Sequence, residues 1–188
     1  MKHPSLGRQF KRIAALILVL LVLGAWMFYM GWASRVARQT ILMAWIPEWT
    51  TYVVFGVVTG LYCAFRPERN RPPNSTNMSS TNKFLGGFSL GFVFLLNSYA
   101  VCVYLLPGEV IHYKSVYEIR FPGPAYGKYS RCEAGLWIKD LHTERDIELC
   151  TTRSELDDQI KRGMTVAWVT ARTNTLGTYI INHTFTYP

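Results

Sequence analysis

The stretch Phe84–Leu106, FLGGFSLGFVFLLNSYAVCVYLL, decides what kind of protein this is. Its 23 residues carry no charged side chain. A helix rises about 1.5 Å per residue, so about 20 apolar residues cross a hydrocarbon core of about 30 Å. Asn82 and Lys83 precede the stretch and Pro107-Gly108 ends it, so it reads as one membrane span.

Working outward, two more apolar blocks lie on its N-terminal side. Ile13–Ala33 has no charge and is long enough to cross. Its basic lead and Gly31-Trp32-Ala33 have the form of a signal peptide and cleavage site. The block exceeds the usual apolar region of a signal, which favours an uncleaved anchor. Trp49–Phe65 is also free of charge, and Pro47 suits a first helical turn. Glu48 there complements the helix dipole, and Trp45, Trp49 and Tyr52 suit an interfacial belt. The expected spans are therefore about 13–33, 47–65 and 84–106, with residues 39–47 lying at the interface. Residues 66–83, rich in Arg, Pro, Ser, Thr and Asn, form a polar loop with little to bury.

Charge sets the orientation. The chain has a net charge of +8. All of it falls in residues 1–108, where ten Lys or Arg face only Glu48 and Glu68; residues 109–188 balance ten bases with ten acids. The N-terminal tail, 1–12, carries four bases, the first loop two and the second loop four. Basic loops stay in the cytoplasm, so the tail and the second loop are expected inside and residues 109–188 outside. The bases flank apolar blocks instead of forming a patch with interleaved aromatics, which argues against a nucleic-acid partner. The lipid bilayer is the expected partner.

Glycines four apart share a helix face and let two backbones approach. Gly56 with Gly60, and Gly87 with Gly91, have that spacing. Two readings stand: packing within one chain, or a homo-oligomer. Asn97, near the middle of the third span, needs a polar partner and so is expected to face another helix.

The C-terminal region reads as a small, mainly extended domain. Residues 111–121 are rich in strand formers, and Phe121–Gly127 is a rigid turn. Leu136–Leu141 and Asp146–Leu149 form a hairpin. Thr152 and Glu155 make a capping box, with Leu156 and Ile160 as an apolar stripe and Gly163 as a stop. Met164–Ala171 reads as a central strand. Thr178–Tyr187 alternates, with Tyr179, Ile181, His183, Phe185 and Tyr187 on one face. The order β-β-β-α-β-β is that of a small five-stranded Greek-key barrel such as the OB-fold.

Cys63 and Cys102 lie inside spans, whereas Cys132 and Cys150 bracket the hairpin on the side expected to be oxidising. A Cys132–Cys150 disulfide is expected there. A metal site with His142 is the alternative, but no C-x-x-C spacing accompanies it. Glycine-rich phosphate loops, H-E-x-x-H and G-x-S-x-G are absent from the sequence. His112, His142, His183, Asp140, Glu144, Asp146 and Glu148 could serve chemistry, but the acids read first as a solvated strand edge. The apolar blocks contain no ionisable acid, base or histidine, which argues against a pump or secondary transporter.

The expectation is a non-enzymatic protein of a bacterial inner membrane, with no catalytic, metal or cofactor residues assigned. Its periplasmic domain would bind another membrane or periplasmic protein, in phage exclusion, immunity or envelope assembly. The alternative is a subunit of a membrane enzyme or transport complex completed by partner residues.

Overall fold

A computed structural model describes residues 6–66, 79–126 and 130–188. The core of the expected polar loop, 67–78, lies outside the described residues, as do residues 1–5 and 127–129. The first helix, α1, covers Leu6–Arg38, about 50 Å at 1.5 Å per residue. It continues into a short strand, β1, Thr40–Leu42. Three helices follow: α2 at Glu48–Phe65, α3 at Ser80–Leu95 and α4 at Ser98–Leu105. Ile13–Arg38 and Ser80–Leu105 are each long and apolar enough to cross a membrane.

The helix expected over 84–106 is not continuous. It breaks at Leu96-Asn97, where Asn97 adopts a left-handed conformation with φ 64° and ψ 6°. Asparagine tolerates that region better than most residues, and the break reorients α4. Asn97 therefore acts as a joint in the backbone. It precedes α4 as its N-cap, without a side-chain capping bond.

Helices α2 and α3 run antiparallel with their glycines inward. Gly56 lies against Phe88, Gly60 against Phe84, and Gly87 against Thr59 and Cys63. At Gly91 an added Cβ would collide with the Thr59 side chain. Thr59 Oγ1 donates to the Gly87 carbonyl at 3.1 Å, a polar link that close approach makes available.

Beyond the helices lies a mainly β, barrel-like domain. Its strands are β2 (Glu109–Arg120), β3 (Ala125–Tyr126), β4 (Ser130–Arg131), β5 (Ala134–Lys139), β6 (Asp146–Thr151), β7 (Val166–Asn174) and β8 (Gly177–Thr186). A short helix, α5, Arg153–Gln159, separates β6 from β7. The main sheet has the order β1-β8-β7-β2-β5-β6, and β3 and β4 form a separate ribbon. β2 pairs with β7 through residues 109–116 and with β5 through residues 117–120, so one strand serves both halves of the barrel. Leu136, Ile138, Leu149, Val169 and Ile180 fill its interior, with the smaller Ala167 and Ala171 between them.

Three expectations change. Residues 40–42, expected only as part of an interfacial segment, form a strand that adds to β8, with Ile41 opposite Thr178. Gly177 permits this, because a Cβ there would strike the Ile41 carbonyl. The clean alternation of β8 is interrupted by a bulge: Ala171 pairs with Ile180 and Thr170 with Asn182, leaving Ile181 unpaired. Thr178 and Ile180 are buried before the bulge; after it, Phe185 packs against the core. One extra residue thus reverses which face is apolar. Finally, only half of the capping box forms. Glu155 N donates to Thr152 Oγ1 at 3.2 Å, while the Glu155 carboxylate accepts from Thr151 instead.

Candidate functional site

Where the helices meet the barrel, α1, α4, β1 and β8 form a neck. Trp32 packs edge-on to Tyr104, and Tyr104 edge-on to Tyr179, with centroids 5.8 and 4.9 Å apart. Tyr179 OH donates to Gln39 Oε1 at 2.8 Å. The end of α4 leaves carbonyls without helical partners. Asn174 Nδ2 donates to the Val103 carbonyl at 2.9 Å, and Arg172 Nη1 to that of Tyr104 at 3.4 Å. Ala33, Val36, Ala100 and Val103 are buried here, whereas residues 13–23 of α1 are exposed and apolar.

The barrel has a seam. β6 pairs only with β5, and the other edge is formed by β1 and the far part of β8. Arg145 bridges the seam by donating to the Leu42 carbonyl at 3.0 Å. Two cavities open along it. One of about 460 Å³ lies beneath the last turn of α1, lined by Arg35, Arg38, Gln39, Ile180, Asn182 and His183. The second, about 370 Å³, lies between β1 and β6, and its acids are Glu48, Asp146 and Glu148. Burial lowers the His183 pKa below the usual histidine value, and the Glu155 carboxylate opposes that shift.

A second surface lies on the outer side of β2 and β7. Val110, Val116 and Trp168 are exposed there, with Lys114 directly opposite Trp168 in the register. His112 joins Thr170 Oγ1 at 3.0 Å on the same side.

The residues singled out by sequence separate into distinct places. Cys132 and Cys150 form a disulfide with Cα atoms 5.6 Å apart, and Cys63 and Cys102 are free thiols. The four glycines meet one another's helices within the chain. His112, His142 and His183 sit apart: His142 approaches the Asn174 carbonyl at 3.2 Å, while His183 lines the seam. Among the described residues, no three of His, Cys, Asp or Glu come together as metal ligands. Asp140 corrects the reading of the hairpin acids as a solvated edge, because it is fully buried. Its carboxylate accepts from Tyr113 OH at 2.6 Å and from the Thr143 amide and hydroxyl at 2.8 and 2.7 Å.

Sequence reading missed the seam altogether. Arg35 and Arg38 registered only as topology charges, and nothing local links them to Asn182 and His183, almost 150 residues later. A three-residue spacing that puts both arginines on one helix face was the available signal.

No family model matches the chain, and neither a curated protein nor a solved structure was found to be similar to it.

Proposed function

We propose that this is a three-span membrane protein that holds an OB-like domain at a fixed height outside the cytoplasm, where the domain binds another envelope protein. A parity argument supports the three spans. Residues 40–42 pair with 177–179, so both lie on one side of a bilayer. The chain between them must cross an even number of times. α3 together with α4, Ser80–Leu105, is long and apolar enough to cross, and α2 runs antiparallel along α3. At 18 residues, α2 measures about 27 Å, close to the core thickness. The two therefore cross as a hairpin, with α1 as the third span. The basic tail and the basic second loop then favour a cytoplasmic N-terminus and a periplasmic barrel in a bacterial inner membrane.

Support for the OB-like reading is the strand order. Five strands, β2, β5, β6, β7 and β8, form a partly open barrel with a helix between the third and fourth. β1 occupies the place beside β8 where such a barrel would close.

The observation that carries the binding role is the exposed Val116–Trp168 face on a domain anchored through the neck. Tryptophan is enriched at the centres of protein interfaces, and exposed Val110 and Val116 extend the apolar surface around Trp168. Phage exclusion, toxin immunity and envelope assembly are the settings in which such a non-enzymatic binder would act. The test is a photo-crosslinking side chain at position 168 in living cells, with a second at Glu109 as a control. One recurrent partner protein at 168, lost when Val116→Glu is added, supports the role. Crosslinks only to lipid or to unrelated abundant proteins would sink it.

A further inference from the structure

We infer that the seam cavity beneath the last turn of α1 is a binding site for a phosphate-bearing ligand, supplied by a lipid headgroup of the outer leaflet. The inference rests on the proposed orientation for the leaflet, but not on the protein-binding role. Three observations meet here. First, Arg35 and Arg38, one turn apart on α1, both line the cavity, with Asn182 and Gln39 as neutral polar company. A guanidinium pair presents forked N–H donors suited to phosphate oxygens.

Second, depth is right. On the proposed orientation, the contacting rings of Trp32 and Tyr104 are placed at the membrane interface, where tryptophan and tyrosine concentrate. Arg35 and Arg38 lie three and six residues beyond Trp32, about 4.5 and 9 Å along the helix. The headgroup layer on each side of the core is about 5–8 Å thick. The two cations therefore span the level at which lipid phosphates lie.

Third, the opening is large enough to admit a headgroup. About 460 Å³ falls within the usual ligand-pocket range of roughly 300–1,000 Å³. The nearest acids, Glu48, Asp146 and Glu148, line the adjoining cavity and not this one; Arg38 borders both. Glu155 acts on His183 from the α5 side. The side chains that line this cavity include two arginines and no carboxylate, which favours a lipid with net negative charge over a zwitterion.

The test is native mass spectrometry of the full chain in a neutral detergent, titrated with phosphatidylglycerol, with phosphatidylcholine, or with soluble glycerol phosphate. The expected result is retention of phosphatidylglycerol about tenfold tighter than phosphatidylcholine, with R35Q/R38Q abolishing that preference and R35K/R38K keeping most of it. Binding of glycerol phosphate as tight as the lipid would retain the phosphate site but overturn the lipid as its source. Equal retention of both lipids, or an unchanged preference in R35Q/R38Q, would overturn the site. Formation of the Cys132–Cys150 bond reports whether each variant folds; if R35Q/R38Q does not, Asn182→Trp, which fills the cavity, replaces it with the same expected loss. A cytoplasmic location for Pro188, combined with intact arginine-dependent lipid preference, would refute the orientation alone.

Discussion

Asp140 accepts three hydrogen bonds where water has no access, and so ties the β5–β6 turn to β2. Burial, and then the Asp140 carboxylate, keep the Tyr113 phenol protonated far above its usual range. Asp140→Ala would leave the Tyr113 hydroxyl and the Thr143 amide without their acceptor. Such losses cost about 2–3 kcal/mol, so the melting temperature of the barrel should fall by several degrees in a calorimetric scan. His183 predicts a pH effect. Its folded pKa lies below the unfolded value near 6.5, because burial disfavours the imidazolium. The unfolded chain then binds more protons between the two values, so stability is full above about pH 6.5 and declines below it. Arg35 and Arg38 border the same cavity, while Glu155 acts in the opposite sense. Thermal melts at several pH values should show a shallower acid decline in His183→Gln than in the parent; identical slopes would rule this out.

At the scale of elements, two joints hold the molecule together by different means. The α2–α3 hairpin depends on close backbone approach. Gly91→Leu would force its side chain into Thr59, and overpacking of this kind costs about 1–3 kcal/mol. The variant should melt earlier in detergent, whereas Gly24→Leu, on open helix surface, should not. The Cys132–Cys150 bond ties the segment before β5 to the end of β6, across a sequence separation of 18 residues. In the chain-entropy model, closing a loop of that size is worth about 3 kcal/mol. Cys132→Ser, Cys150→Ser and the double variant should therefore show one common increase in protease sensitivity of the barrel. Membrane insertion should be unchanged in all three. Unequal effects of the two single variants would mean that a thiol contributes apart from the bond.

For the whole molecule, the consequential feature is that the strand after α1 joins the sheet built by the C-terminus. The barrel is joined to the helical part by more than a linker. Its β8 is paired to β1, and its Arg172 and Asn174 hold the end of α4. A topology reporter active only outside the cytoplasm should function when fused after Pro188 and fail when fused near Asn77. The reverse pattern would invert the orientation, while activity at both sites would break the parity between β1 and β8.

Much of this organisation was legible in the chain itself. Charge-free runs of membrane length and the succession of strand-rich segments are local properties, readable without knowing what touches what. The disulfide was legible for a related reason: both cysteines bracket one local hairpin. What lay beyond reading was set by contacts distant in sequence. Thr40–Leu42 is too short to announce a strand and becomes one only because β8 offers an open edge with Gly177 beneath it. Asn97 stands out as a polar residue in its run, but nothing local required a left-handed break there, with the end of α4 held by Asn174 of the barrel. The bulge at Ile181 reverses an otherwise regular alternation, because β7 and β8 must pair and curve together. Arg35 and His183 become neighbours of one cavity only when the barrel is left open beneath α1. Local free energies select helices and strands, but only tertiary packing decides which edges meet and where a site remains open between them.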